Sequence, residues 1–386
     1  MNISSSVNTD RPGPRPAGLH HTGSGKTVSM EFCMLCPRRC GVNRTAGQTG
    51  FCRSLDRMRV ARVSLHMWEE PCISGTAGSG TVFFTGCSLR CRFCQNAEIS
   101  ICEDAQKHSA QYAGAPAAAR QSGDAQKHSA QYAGAPTAAG QSGAKKADSE
   151  DYGSVPMIWP GGKEFSPQEM SEVFLALQAL GAANVNLVTA GHYVLPCAQA
   201  LRIAKENGLT IPVVYNSSGY ELPESLRLLD GLVDIYLPDF KFMDPESARL
   251  YCGAPDYPET AKAAVREMVR QILSRYGESA GFDEEGMMTH GVIVRQLLLP
   301  GHVREAKSII DYLYHTWKDR IWLSMMSQYT PMEAMAKDPL LCRRVTKREY
   351  QRLVDYALSI GVTQAFIQER GAASQVYIPD FASSLT

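Results

Sequence analysis

Apolar positions in the second half of the chain follow two alternating patterns. Short runs rich in Val, Ile and Leu alternate with longer stretches in which apolar residues return every three or four positions. The first pattern predicts buried strands and the second predicts amphipathic helices. Strands are predicted at 81–86, 184–189, 211–216, 233–240, 291–300, 321–328 and 363–368, with helices in most of the intervals between them.

Cap residues support these boundaries. Ser166 directly precedes a proline and a run with helical periodicity, which is the pattern of a helix N-cap followed by proline at the first helical position. Strands of branched apolar residues that alternate with helices favour a parallel sheet covered by helices. We therefore predict an α/β fold whose six or seven βα units curl into a full or partial barrel. In such barrels the chemistry lies at the carboxyl ends of the strands.

Length and charge limit the classes of protein that fit this pattern. The chain has 386 residues, of which 44% are apolar and 20% charged, as in ordinary globular proteins. Lys and Arg together number 39, as do Asp and Glu, so we expect neither nucleic acid nor a membrane as a partner. The sequence shows no signal peptide and no apolar run of about 18 residues, so we expect a cytoplasmic protein.

Two segments depart from the periodic pattern. Residues 1–30 are polar and rich in Pro, Gly and Ser, which predicts a disordered tail. Residues 104–143 hold two nearly identical repeats without an apolar face, which predicts a disordered insertion at about 103–157. We interpret GGK at 161–163 as the exit turn of this insertion. The remainder divides into a cysteine-rich module at 31–72 and a core at 73–386 that the insertion interrupts.

Seven of the twelve cysteines fall in two tight groups. Because the cytoplasm keeps thiols reduced, such clustering favours metal binding over disulfides. The first group has four members, which can complete a ligand set for a second iron–sulfur cluster or for zinc, and both alternatives stay open. The second group has three. The members are Cys33, Cys36, Cys40 and Cys52 in the first group, and Cys87, Cys91 and Cys94 in the second. The five scattered cysteines are predicted to be small buried apolar side chains; they are Cys72, Cys102, Cys197, Cys252 and Cys342.

The three-cysteine group is the most informative motif of the chain. Three thiolates leave one iron of a four-iron cube without a protein ligand, whereas electron carriers fill all four positions. The CxxxCxxC spacing of 87–94 follows a predicted strand and has Phe93 before its third cysteine. This arrangement resembles the radical S-adenosylmethionine superfamily, and in particular its branch of proteins described as pyruvate formate-lyase activating enzyme-like. The fold that the resemblance implies is a partial (βα)6-type, TIM-like barrel.

The resemblance also implies cofactors and an activity. It implies a [4Fe-4S] cluster at the three cysteines, S-adenosyl-L-methionine, and a low-potential electron donor such as flavodoxin or ferredoxin. Reductive cleavage of S-adenosylmethionine would yield a 5′-deoxyadenosyl radical that abstracts a hydrogen atom. The hydrogen would come from a glycine of a protein substrate, as in activation of a glycyl radical enzyme, or from a small molecule. The alternative is an iron–sulfur or zinc scaffold or electron-transfer protein without S-adenosylmethionine chemistry.

Polar residues at the strand ends extend the resemblance. PDFK at 238–241 resembles an Asp-x-Lys that activating enzymes place against the cofactor, and YNSSGY at 215–220 resembles their Asp-Thr-Asn-Gly segment. VTAGHY at 188–193 stands where the superfamily usually has Gly-Gly-Glu. The resemblance thus implies cofactor contacts for Asn96, Thr189, Gly191, His192, Asn216, Ser218, Asp239, Lys241, Arg295 and Gln328.

The stretch SLHMWEEPCISG at 64–75 is dense in His, Trp and Glu. Adjacent residues on a helix or a strand point in different directions, so Glu69 and Glu70 are not expected to act as a pair. We interpret the stretch as a structural join between the cysteine-rich module and the barrel.

Overall fold

A computed structural model of the chain describes residues 29–100 and 156–368, and before them the backbone of two short strands. These strands, β1 (His20–His21) and β2 (Thr27–Val28), pair antiparallel. The predicted disordered tail and the predicted insertion lie almost entirely outside the described residues.

The other ten strands form a single sheet. Seven of them run parallel in the order β12-β11-β10-β8-β7-β6-β4, and β3, β5 and β9 pair antiparallel with their neighbours. The predicted α/β class is confirmed, and the seven parallel strands correspond to the seven that the sequence predicts. The strands are β3 (Met58–His66), β4 (Ser79–Phe84), β5 (Met157–Phe165), β6 (Val185–Val188), β7 (Val213–Ser217), β8 (Ile235–Pro238), β9 (Ala280–Phe282), β10 (Met288–Leu297), β11 (Trp322–Met326) and β12 (Ala365–Ile367).

Helices connect the parallel strands. In α3 the predicted N-cap is confirmed, because Ser166 Oγ accepts the N–H of Glu169 at 3.3 Å and the Glu169 carboxylate accepts the N–H of Ser166 at 2.7 Å. The described helices are α1 (Pro71–Ser74), α2 (Ala97–Ser100), α3 (Pro167–Ala179), α4 (Val194–Glu206), α5 (Pro223–Leu226), α6 (Pro245–Cys252), α7 (Tyr257–Tyr276), α8 (Val303–Trp317) and α9 (Lys347–Ser359), with short 3-10 turns at Gly191–Tyr193, Arg227–Leu229, Lys318–Arg320 and Glu333–Met335.

The parallel strands are buried and their carboxyl ends are aligned. Every residue of β4, β6, β7 and β8 is buried, which explains their nearly continuous apolar sequences. Phe83 pairs with Val188, and Val188 pairs with Asn216. Residues that follow these strands therefore meet at one edge of the sheet.

Strand β5 was not predicted. It contains Pro160, Gly161 and Gly162, a sequence that predicts a turn rather than a strand, and the GGK segment was interpreted as the exit turn of the insertion. That interpretation is wrong, because the segment lies within β5 at the edge of the sheet. The register between β3 and β5 shifts near Val60, and both glycines have a positive φ, so the irregularity accommodates them. None of the described helices is both long and apolar enough to cross a membrane.

Candidate functional site

An open cavity of about 230 Å³ lies at the carboxyl ends of the parallel strands. It is lined by residues that follow β4, β6, β7, β8 and β11 and by side chains of β10. All three cysteines of the second group line it, together with most of the polar residues that the sequence singled out. These are Asn96, Thr189, Asn216, Ser218, Asp239, Lys241, Arg295 and Gln328.

The cysteine loop packs against the end of α6 and against the loop between β8 and α6. The N–H of Arg92 donates to the carbonyl of Tyr251 at 2.8 Å, and the buried Phe93 ring lies edge-on to Phe242 at 6.1 Å. Burial raises the pKa of the Cys87 and Cys94 thiols, so the neutral thiol is favoured where no cation is bound. A metal that binds here has to displace these protons.

A fourth cysteine adjoins the loop. The sulfur of Cys252, at the end of α6, lies 3.3 Å from the sulfur of Cys91. This hydrogen bond and burial together raise the pKa of the Cys91 thiol. The sequence indicated only a small buried side chain at this position, and Cys252 is indeed fully buried. The same prediction holds for Cys72 and Cys197 but is wrong for Cys342, which is exposed, while Cys102 lies outside the described residues.

Within residues 29–100 and 156–368, no group of three or more His, Cys, Asp or Glu side chains is positioned to hold a metal ion. Two thiols of the second group contact other side chains. Cys91 points at Cys252, and Cys94 Sγ lies 3.4 Å from Ser100 Oγ. Ligation would therefore require these side chains to rotate towards a common centre.

Asp239 and Lys241 form an ion pair on the wall of the cavity. Lys241 Nζ lies 2.6 Å from Asp239 Oδ2. Burial disfavours the charge on Lys241, but the Asp239 carboxylate outweighs it and raises the pKa of the amine. Burial likewise disfavours the Asp239 carboxylate, yet Arg295 and Lys241 lower its pKa. Both groups are therefore charged at neutral pH, which places a permanent cation close to the thiols.

Arg295, near the carboxyl end of β10, organises the polar wall of the cavity. Its guanidinium donates to Asp239 Oδ1 at 2.9 Å, to Asn216 Oδ1 at 2.6 Å and to Glu69 Oε2 at 3.3 Å. Burial opposes its charge, but the Asp239 and Glu69 carboxylates raise its pKa.

The side chains of Glu69 and Glu70 are both buried and both interact with Arg295. Glu69 accepts from Asn186 at 3.1 Å and from Asn216 at 3.3 Å, and burial raises its pKa. Glu70 is also buried, interacts electrostatically with Arg295, and has a pKa that burial raises. Both residues precede α1 in irregular backbone, where the directional rules for helices and strands do not apply, so the prediction that they do not act as a pair stays untested. The stretch also contributes His66 and Trp68 to the cavity.

Three predicted cofactor contacts lie in the turn after β6, and the structure places only Thr189 of these three in the cavity lining. Thr189 lines the cavity in a left-handed conformation with φ of 63°, and its N–H donates to the carbonyl of Asn216 at 2.9 Å. Gly191 and His192 lie behind the cavity in a 3-10 turn. The His192 ring donates to the carbonyl of Thr85 at 2.8 Å, and burial lowers its pKa to about 3, so it is neutral.

The first cysteine group packs next to the second. Cys33, Cys36 and Cys52 are buried, and burial raises the pKa of Cys36 to about 12, with further increases from Cys52 and Cys33. Cys40 Sγ accepts the N–H of Phe51 at 3.3 Å. The four cysteines lie before β3, in a segment without regular secondary structure.

Arginines join this segment to the cavity loops. Arg44 is buried and donates to the carbonyls of Leu55 and His192. Arg38 donates to the carbonyl of Ser88, within the second cysteine loop, at 2.9 Å. The ring of Phe51 lies between the Arg38 guanidinium, 3.9 Å from its centroid, and that of Arg90, at 4.3 Å. The two cysteine groups are thus neighbours through direct contacts.

No family model matches the chain. The chain is 26% identical over 328 residues to an uncharacterized protein of Methanocaldococcus jannaschii. The aligned part covers 84% of this chain and 74% of that protein.

Proposed function

We propose that the chain is a radical S-adenosylmethionine enzyme built on a partial (βα)6 barrel. The observation that carries the proposal is that Cys87, Cys91 and Cys94 line the same cavity as the Asp239–Lys241 ion pair, at the carboxyl ends of parallel strands. The strand order, in which successive parallel strands are neighbours along the sheet, supports the barrel. When bound, a [4Fe-4S] cluster and S-adenosyl-L-methionine would supply one-electron reduction and hydrogen-atom abstraction.

The donor set fits these groups. Cys87, Cys91 and Cys94 would hold three irons, and the fixed charge of Lys241 favours their thiolates electrostatically. Lys241 and the polar groups of Asn96, Ser218 and Gln328 line the cavity, where they would bind the amino-acid and ribose parts of S-adenosylmethionine.

Arg295 and Glu69 have a positioning role in this proposal. Arg295 fixes the carboxylate of Asp239 from one side while Lys241 pairs with it from the other. The Glu69 carboxylate accepts hydrogen bonds from the Asn216 amide and from the Arg295 guanidinium. These bonds hold the Asn216 side chain in one orientation. The network therefore presents the Asp239–Lys241 pair to the cavity in a defined geometry.

The first cysteine group would hold a second iron–sulfur cluster that relays electrons from a low-potential donor such as flavodoxin or ferredoxin. Its packing against the second loop through Arg38 and Phe51 supports this path. Zinc at the same four cysteines would make the module a structural clamp. Metal analysis of anaerobically reconstituted protein distinguishes the second cluster from the zinc site. Two clusters predict about eight irons per chain, whereas a zinc site predicts about four irons plus one zinc.

The hydrogen donor would be a glycine of a protein substrate or a small molecule. Trp68, which lines the cavity and is 56% exposed, gives the opening a solvent-facing side chain that an incoming substrate would meet. A glycine radical signal on a partner protein would support the first, and turnover of a metabolite without that partner would support the second.

A second candidate function is electron transfer, and Cys252 favours it. Its sulfur is 3.3 Å from Cys91, so it could close the set of thiolates around a cluster. A closed cluster has no iron free to bind S-adenosylmethionine.

The test of the proposed function measures the iron content of a Cys33→Ala/Cys36→Ala variant, in which only the barrel cluster is expected to bind iron. If Cys252→Ser keeps about four irons, and S-adenosylmethionine alters the paramagnetic spectrum of the reduced cluster, the result would support a cluster with one iron open to S-adenosylmethionine. Loss of the iron would support electron transfer.

A further inference from the structure

The Cys91–Cys252 contact also has a chemical consequence of its own. The two sulfurs are 3.3 Å apart, and a covalent disulfide is about 2.05 Å long, so bond formation requires an approach of about 1.2 Å. The N–H of Arg92 bonds to the carbonyl of Tyr251 at 2.8 Å, and that of Arg90 to the carbonyl of Cys252 at 3.5 Å. These bonds keep the two segments side by side.

The neighbouring thiols have other partners. Cys87 Sγ accepts the N–H of Leu89 at 3.4 Å, and Cys94 Sγ contacts the Ser100 hydroxyl. Cys91 lines the cavity, whereas Cys252 is fully buried behind it. A small oxidant would therefore reach Cys91 first, and Cys252 is the thiol in contact with it.

We propose that Cys252 is a resolving cysteine, which converts peroxide-oxidised Cys91 into a reversible disulfide in the cluster-free protein. In the first step the Cys91 sulfur attacks hydrogen peroxide. An S–O bond forms, the O–O bond breaks, the thiol proton is released, and one water leaves with the sulfenic acid in place. In the second step Cys252 attacks the Cys91 sulfur, an S–S bond forms, the S–O bond breaks, and the hydroxyl group leaves with the Cys252 proton as a second water. Two thiols are oxidised and one peroxide is reduced to two waters.

The disulfide and iron ligation exclude each other, because the Cys91 sulfur cannot serve both. A disulfide is restored by thiol reductants, whereas oxidation to sulfinic acid is not. Cys252 therefore protects the cluster site while it is empty. This consequence for cluster loading rests on the proposed function, but formation of the disulfide does not.

The direct test treats the cluster-free protein with hydrogen peroxide, alkylates the remaining thiols and maps disulfides by mass spectrometry without reduction. The expected product joins the peptides of Cys91 and Cys252 and disappears on reduction. In Cys252→Ser and Cys252→Ala, Cys91 sulfinic acid should accumulate several-fold more than in the wild type. Cys197→Ser, which alters a buried cysteine whose sulfur contacts the Met58 thioether, should behave like the wild type.

A disulfide from Cys91 to Cys87 or Cys94, or equal sulfinic acid in wild type and both Cys252 variants, would overturn the proposal. A second measurement counts iron after peroxide treatment, reduction and reconstitution. Wild type should regain its iron and Cys252→Ala should not. If the disulfide maps to Cys91–Cys252 but untreated protein takes up no iron, the thiol chemistry stands and the proposed cluster fails.

Discussion

The Tyr257 hydroxyl accepts the backbone N–H of Lys241 at 2.9 Å. The same oxygen lies 2.8 Å from the carbonyl of Ser218 and 2.9 Å from that of Asp239. One buried side chain at the start of α7 thereby joins the loops after β7 and β8. Both loops carry residues that line the cavity, so their relative position depends on this hydroxyl.

Tyr257→Phe should lower the free energy of unfolding by about 1–3 kcal/mol, because it leaves buried backbone groups without partners. It should also weaken S-adenosylmethionine binding, since the Asp239–Lys241 loop loses its anchor. Urea denaturation and a binding titration measure the two effects. Tyr356→Phe is the control, because that hydroxyl bonds to Asp311 near the surface and should contribute well under 1 kcal/mol. Equal effects of the two substitutions would contradict the anchoring role.

The left-handed backbone at Thr189 provides a second prediction. A β-branched residue with φ of 63° is strained, and such strain costs on the order of 1–3 kcal/mol. Thr189→Gly should therefore raise the free energy of unfolding. The net gain should be up to about 1 kcal/mol, because glycine relieves the strain but loses more conformational entropy on folding. Because the variant also loses a side chain from the cavity wall, its affinity for S-adenosylmethionine should fall.

Thr189→Ala separates the two contributions, because alanine keeps the strain but removes the hydroxyl. It should weaken binding without the gain in stability. A Thr189→Gly variant that is less stable than wild type in urea denaturation would show that the turn is not under strain.

Glu221 makes the stability depend on pH. Burial raises its pKa to about 8, from an ordinary value of 4.5. The folded state therefore retains this proton where the unfolded chain has released it. The associated stabilisation is complete below pH 4.5 and is lost as the pH rises towards 8, with a slope of at most about 1.4 kcal/mol per pH unit.

Glu221→Gln has no proton to lose. Urea denaturation of the cluster-free protein between pH 5 and 8 should show a shallower decline for the variant than for the wild type. Glu284→Gln, at an exposed position on the turn between β9 and β10, should leave the wild-type slope unchanged. Identical slopes in wild type and Glu221→Gln would contradict a buried, protonated Glu221.

The sequence predicts the parallel strands because most of them are buried on both sides, and burial leaves an apolar pattern that is local in the chain. The aligned strand ends also bring together Asn216, near the end of β7, and Asp239 and Lys241, which follow β8. Strand β5 has no such pattern, because a proline and two glycines occupy its centre. The positive φ values at those glycines accompany the irregular register between β3 and β5 at the sheet edge. Rules based on local sequence do not predict such a register.

The missed parts of the site depend on distant contacts. Cys252 is 161 positions from Cys91, and Glu69 is 226 positions from Arg295. A single sequence contains no signal that pairs them. The density of His, Trp and Glu around Glu69 was a usable signal for the cavity, but the directional argument applied to it assumes regular backbone.

The formation of 5′-deoxyadenosine tests the central claim most directly. Anaerobically reconstituted protein, reduced with dithionite and given S-adenosylmethionine, should release 5′-deoxyadenosine and methionine, detected by mass spectrometry. Cys87→Ala, Cys91→Ala and Cys94→Ala should each abolish the product while the far-ultraviolet circular dichroism stays unchanged, because two thiolates are too few to retain the cluster. A fully iron-loaded, reduced wild type that releases no 5′-deoxyadenosine, or a Cys87→Ala variant that releases it at the wild-type rate, would contradict the account.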